Sequence, residues 1–157
     1  MWSWRFEAAG SATIDPMKNE MVPLRFLVVE DHEFQRQLLE RALAGFGAAS
    51  VLSAANGVQA MRVLRDPASR IDIVISDVMM PEVDGIELIA MLRQAAANVA
   101  LVLSSTDKAS LNAAEAIARA QGLNVLGAIG KPITPDKLRP LLDRYLAQRQ
   151  RPVAPAR

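Results

Sequence analysis

The sequence predicts an α/β protein with a doubly wound, five-stranded parallel sheet. Two observations carry that reading. Short apolar runs recur five times, and stretches with apolar residues at helical spacing separate them. The run Ile71-Asp72-Ile73-Val74-Ile75-Ser76-Asp77 is apolar enough to be buried on both faces, as a central parallel strand must be. Parallel strands need crossovers, and crossovers are right-handed, so helices cover both faces of the sheet.

Taken in order, Phe26-Leu27-Val28-Val29 is the first strand and ends at Glu30-Asp31. Phe34, Leu38, Leu39, Ala42 and Leu43 give the first helix its apolar face, and Gly45 and Gly47 stop it. Val51 to Ala54 is a second strand, and Asn56-Gly57 turns the chain into a helix faced by Val58, Met61, Val63 and Leu64. The 71–77 run is the third strand. Pro81 and Asp84-Gly85 break the chain after it, and Ile86, Leu88, Ile89 and Leu92 mark a helix to about Gln94. Val99 to Leu103 is the fourth strand and leads to Ser104-Ser105-Thr106. An Ala-rich helix over about 108–121 is closed by Gly122, and Val125 to Ile129 is the fifth strand, running into Gly130-Lys131-Pro132. Thr134 caps a last helix with Pro135 at its first position. Pro140 should kink that helix or mark its true start.

Composition narrows the functional classes. The 157 residues suit one domain with a sizeable core. Lys and Arg number 18 against 17 Asp and Glu, so charge offers no argument for nucleic acid or a membrane surface. There is no Cys, which excludes disulfides, thiol catalysis and Cys-ligated metals and suits a reducing cytoplasm. A single His, His32, leaves a histidine zinc site or a Ser-His-Asp triad without support. No apolar run approaches a membrane span of about 20 residues. Residues 1–23 show no sustained period and no secretory signal, and read as a loosely ordered extension or an early translation start; Trp2, Trp4 and Phe6 could dock on the domain or a partner. The domain proper is expected over 24–149, with a linker-like tail at 150–157.

The topology turns scattered residues into a site. Every strand of a doubly wound sheet ends on the same rim, where such sheets place their ligands. That rim receives Glu30 and Asp31, then Asp77, then Ser104 and Ser105, then Lys131. Converging carboxylates repel one another and are held ionised by a cation. An all-oxygen set points to a hard ion, Mg²⁺ before Ca²⁺ because so few ligands leave room for waters. Carboxylate nucleophile, cation, Lys131 and a hydroxyl are the parts needed to take up a phosphoryl group as an aspartyl phosphate. Alone, an acidic pair is usually a helix start and a Lys-Pro a turn. Their joint order on matching elements is what carries weight.

With Glu30-Asp31, Asp77 followed by Met80-Pro81 and Asp84-Gly85, a hydroxyl after the fourth strand, and Lys131-Pro132, the chain resembles the receiver domain of two-component response regulators over 24–149. The resemblance implies a flavodoxin-like strand order 2-1-3-4-5. It implies Asp77 as phosphoacceptor, with a sensor histidine kinase or histidine phosphotransfer protein as donor. Asp31, Asp77 and the backbone carbonyl of Met79 would hold Mg²⁺, with Glu30 acting mostly through a bound water. Lys131 would pair with Asp77 and then with the phosphoryl group. Ser104 matches the switch hydroxyl and Ser105 the small residue after it; a register shift of one would exchange them. His32 reads as an exposed helix-start residue.

Two features set this chain apart. Ala128 stands where many receivers carry an aromatic residue, three before the Lys, so the response is expected to run through the backbone after Ser104 and the Ala-rich helix. The surface of Ala109, Ala113, Ala114, Ala116 and Ala120 would there meet a partner or a second copy of the chain. The segments Glu30 to Arg36 and Leu123 to Pro132 look most like receivers joined to EAL-type cyclic-di-GMP phosphodiesterase domains, although no EAL motif occurs here. A cytoplasmic signalling switch is expected, not an enzyme beyond self-phosphorylation and autodephosphorylation. The other classes are an unphosphorylated pseudo-receiver and an Asp-nucleophile phosphatase of the haloacid-dehalogenase kind. The latter places a second Asp two residues after the nucleophile, where this chain has Met79.

Overall fold

The computed structural model describes residues 24–80, 85–95 and 98–150. The extension at 1–23, Pro81, Asp84 and residues 151–157 lie outside them. Strands and helices alternate as β1 (Arg25–Val29), α1 (Glu33–Gly45), β2 (Ser50–Ala54), α2 (Gly57–Arg65), β3 (Ile73–Asp77), α3 (Gly85–Ala95), β4 (Ala100–Ser105), α4 (Lys108–Ala120), β5 (Asn124–Gly130) and α5 (Pro135–Gln150). All neighbouring strands pair parallel, in the order β2-β1-β3-β4-β5. This is the flavodoxin-like order expected.

Alternation along the strands splits the core in two. Leu27, Val29, Val74, Leu101, Leu103 and Val125 face one side, where Ala60 of α2, Leu88, Ile89 and Leu92 of α3, and Leu111, Ala114 and Ala118 of α4 cover them. Phe26, Val28, Ile73, Ile75, Val102, Leu126 and Ile129 face the other, under Leu39 and Leu43 of α1 and Leu138, Leu142 and Leu146 of α5. All of these side chains are buried. Removing an apolar side chain of this size from water contributes about 1.5–3 kcal/mol, so the two faces hold five helices on one sheet.

The helix ends follow local chemistry. Both α1 and α4 stop where a glycine takes a left-handed conformation, Gly47 at φ 91° and Gly122 at φ 84°. The amides after those turns reach back to helix carbonyls, Gly122 to Arg119 (3.0 Å) and Leu123 to Ala118 (3.1 Å). Asn56, Asp107 and Thr134 accept amide hydrogen bonds at the starts of α2, α4 and α5.

Three expectations need correction. Phe34 (61 % exposed), Leu38 and Val58 are not core residues: only one flank of each apolar stripe meets the sheet. Of the two readings of Pro140, the true helix start is not met: α5 begins at Pro135 and runs past Pro140 to Gln150. It falls in the second turn, where the carbonyl that loses its bond is that of Asp136, close to the helix start. Ala114 is buried against the sheet, so the outer surface of α4 is formed by Ala109, Ala113, Ala116 and Ala120 without it.

Candidate functional site

Strand register builds the site before any side chain is considered. Val29 pairs with Ser76, Asp77 with Ser104, and Ser105 with Gly130. Glu30, Asp77 and Ser104 therefore stand level across the rim, and Lys131 lies two residues beyond Ile129, the partner of Ser104. Each apolar run gives way at that rim to polar residues, Glu30-Asp31, Asp77, Ser104-Ser105 and Lys131.

The carboxylates of Glu30, Asp31 and Asp77 each offer an oxygen, and the three lie within 4.8 Å of one another. Glu30 and Asp77 are buried, while Asp31 is exposed. Lys131 reaches into this group. Its Nζ donates to Glu30 Oε1 at 2.6 Å and to Asp77 Oδ2 at 2.9 Å. The lysine side chain is only 10 % exposed, so these are shielded contacts in which charge matters more than on an open surface. Burial drives the Glu30 carboxyl above its ordinary range, and the bond from Lys131 opposes that rise without cancelling it. For Lys131, burial pulls downward, but the bonds to Glu30 and Asp77 win and hold the ammonium above its usual value. In physical terms the lysine supplies the cation that this acidic cluster requires.

The other polar atoms are spoken for in detail. Glu30 Oε2 accepts from the His32 amide (3.1 Å), and Asp77 Oδ1 accepts from the Met79 amide (2.9 Å). The Met79 bond holds the chain close to Asp77 just where it leaves β3. The Ser104 hydroxyl is buried and directed at the Ser76 carbonyl, at a long 3.5 Å. Ser105 Oγ accepts from the Asp107 amide (2.9 Å), which shapes the turn into α4. His32 caps α1, its Nδ1 accepting from the Gln35 amide at 3.4 Å, and is exposed.

Ala128 leaves space. A cavity of about 290 Å³ opens between α4 and β5, lined by Ser105, Leu111, Asn112, Ala128 and Lys131 among others. Sequence reasoning missed one member of the site. Gln35 Oε1 accepts from Lys131 Nζ at 2.9 Å. Its position in the first turn after Glu30-Asp31 was a usable signal, because that turn must lie beside the rim.

Similarity to known proteins covers most of the chain. The family model of the response regulator receiver domain matches residues 26–143. The chain belongs to that family. Among curated relatives, the cyclic di-GMP phosphodiesterase RocR of Pseudomonas aeruginosa is 34% identical over 131 residues, 83% of this chain but 33% of RocR. The chain thus spans about a third of that relative's length. Among solved structures, the receiver domain of the hybrid histidine kinase CckA superposes with TM-score 0.61 at 29% identity, covering 78% of this chain and 98% of that one. The chemotaxis protein CheY4 of Vibrio cholerae gives TM-score 0.65 at 27% identity, with 78% and 98% covered. Among the described residues, no helix is long and apolar enough to cross a membrane.

Proposed function

We propose that this receiver domain is a phosphorylation-driven switch in which Asp77 takes a phosphoryl group from the phosphohistidine of a sensor histidine kinase or histidine phosphotransfer protein. An Asp77 carboxylate oxygen bonds to phosphorus as the phosphorus–nitrogen bond to the donor imidazole breaks, and the departing imidazole takes up a proton. The observation that carries this reading is the cluster of Glu30, Asp31 and Asp77 bridged by Lys131. A nucleophilic carboxylate beside a fixed ammonium suits transfer of a dianionic phosphoryl group.

The donor set fits Mg²⁺. It is all oxygen, its atoms lie close enough to share one ion, and Asp31 is exposed enough to admit it. Asp31, Asp77 and the Met79 carbonyl would hold the ion, with Glu30 bound mainly through water. When bound it would neutralise charge on the phosphoryl oxygens. Lys131 neutralises a further oxygen, and the Ser104 hydroxyl is the donor that can turn from Ser76 toward the new group. Ser105, fixed by the turn into α4, carries that movement onward.

The switching unit spans 24–149, and it governs a partner or output domain: an EAL-type cyclic-di-GMP phosphodiesterase domain, or a second copy of the chain in a homodimer. The support is the likeness to RocR together with the motif segments around Glu30 and Lys131. Incubation with acetyl phosphate and Mg²⁺, read by intact mass, tests the reading. Wild type should gain one phosphoryl group and Asp77→Asn none. Label on Ser104 or Ser105, or equal labelling of Asp77→Asn, overturns it.

A further inference from the structure

We propose that Gln35 is a positioning residue for Lys131, holding its ammonium in place while Glu30 and Asp77 exchange partners. The proposal rests on the phosphoacceptor reading of Asp77. An ammonium has three N–H donors, and here each has one acceptor: Glu30 Oε1 at 2.6 Å, Asp77 Oδ2 at 2.9 Å and Gln35 Oε1 at 2.9 Å. Because lysine only donates, the carboxamide must present its oxygen.

The local chain explains why Gln35 is available. It is the third residue of α1, whose cap is His32. A glutamine at that position ordinarily reaches back to the amide of the cap. That amide is already donated to Glu30 Oε2 at 3.1 Å. The reach back is closed, and the side chain turns to Lys131 instead, 96 positions away in the chain. Its backbone is fixed as well. The Gln35 amide donates to His32 Nδ1, and the neighbouring Arg36 Nη1 donates to the Glu30 carbonyl at 2.9 Å.

Of the three acceptors, Glu30 and Asp77 belong to the carboxylate cluster, and Gln35 is neutral and lies outside it. A cation among the carboxylates competes with the ammonium for Glu30 and Asp77, and phosphorylation changes what Asp77 offers. Gln35 is untouched by either event. It keeps the long lysine side chain from exploring other rotamers when its charged partners are taken, so the ammonium meets the incoming phosphoryl group already oriented.

The test uses Gln35→Met, which matches the side chain in length and removes only its polar end. Initial rates of Asp77 phosphorylation by acetyl phosphate should fall about three- to tenfold, the range expected for the net contribution of one ordinary, solvent-exposed hydrogen bond. Mg²⁺ affinity by calorimetry should not change, which separates positioning from damage to the cluster. In a Lys131→Ala background the same substitution should have no further effect. A second readout needs no phosphodonor: the ¹⁵Nζ resonance of Lys131 should broaden in Gln35→Met. A wild-type rate in Gln35→Met, slowing that persists without Lys131, or an unchanged lysine resonance each overturn the proposal. A wild type that accepts no phosphoryl group, with a lysine resonance that still depends on Gln35, instead defeats the phosphoacceptor reading and takes the reaction role of Gln35 with it.

Discussion

Gly127 of β5 lies so close to Leu141 of α5 that a Cβ on the glycine would stand 2.6 Å from Leu141 Cδ2 and 3.1 Å from Cδ1. The glycine is what lets α5 settle onto the edge strand. With three leucine carbons within 3.4 Å, the whole side chain would have to move, not only its tip. Gly127→Ala should therefore lose about 1 kcal/mol and Gly127→Val about 1–3 kcal/mol in urea unfolding, as overpacking does. In a Leu141→Ala background the alanine should cost less, and strict additivity would count against the contact.

Magnesium should raise the melting temperature of wild type. A ligand bound only by the folded form adds about 2.7 kcal/mol at a hundredfold excess over its Kd. Asp77→Asn should blunt the rise. Lys131→Ala should keep it or enlarge it, because the ammonium that competes for Glu30 and Asp77 is gone. An unmoved midpoint in wild type at tens of millimolar Mg²⁺ would falsify the metal assignment.

Beryllofluoride, a stand-in for the phosphoryl group, should alter amide hydrogen exchange over 104–121. The reason lies in the space beside Ala128, whose methyl cannot act as a two-position gate, and in the link from Ser105 through the Asp107 amide to α4. A shift of this kind needs only a few kcal/mol of differential binding between two states. Changes restricted to β5 and α5, with α4 silent, would defeat it.

Asp107 adds a pH-dependent latch to the same helix. Hydrogen bonds from the Ser110 hydroxyl and amide hold its carboxyl below the ordinary 3.8. A depressed value means that the cap's contribution is present above 3.8 and is lost as pH falls through the lower folded value. Asp107→Asn keeps a capping oxygen but does not titrate. The difference in melting temperature between wild type and Asp107→Asn should be constant from neutrality to about pH 5 and shrink below it; a difference that grows in acid would refute the assignment.

The elements were legible because strands and helices here differ in period as well as composition. Five short apolar runs alternating with helical stretches read as parallel strands, and that topology brings Glu30, Asp77, Ser104 and Lys131 to one rim; the exposure of Leu52 on the edge strand β2 was not legible in the pattern. Solvent-facing apolar residues were not legible. Phe34 and Leu38 form one helical stripe and Leu39 and Leu43 another, about 140° apart around the helix, and only the packing of α1 shows which of the two stripes is covered. Gly127 and Gln35 were hidden for a related reason. Each matters through a partner far along the chain, and periodicity speaks only of near neighbours.

Helix α5 is fastened to β5 at both ends and at its middle. Lys137 Nζ donates to the carbonyls of Gly130 (3.1 Å) and Pro132 (3.0 Å), Arg144 donates to the Leu126 carbonyl, and Asn124 and Gln148 pair side chain to side chain at 2.8 Å. A rod of 16 residues, about 24 Å long, cannot tilt without breaking one of these ties. These ties make α5 the reference against which movement of α4 can be read. Spectroscopic labels at exposed Ala147 on α5 and exposed Ala116 on α4 would form a ruler between the two helices. A change in its reading on phosphorylation, with the ties of α5 to β5 still in place, would measure the travel of α4.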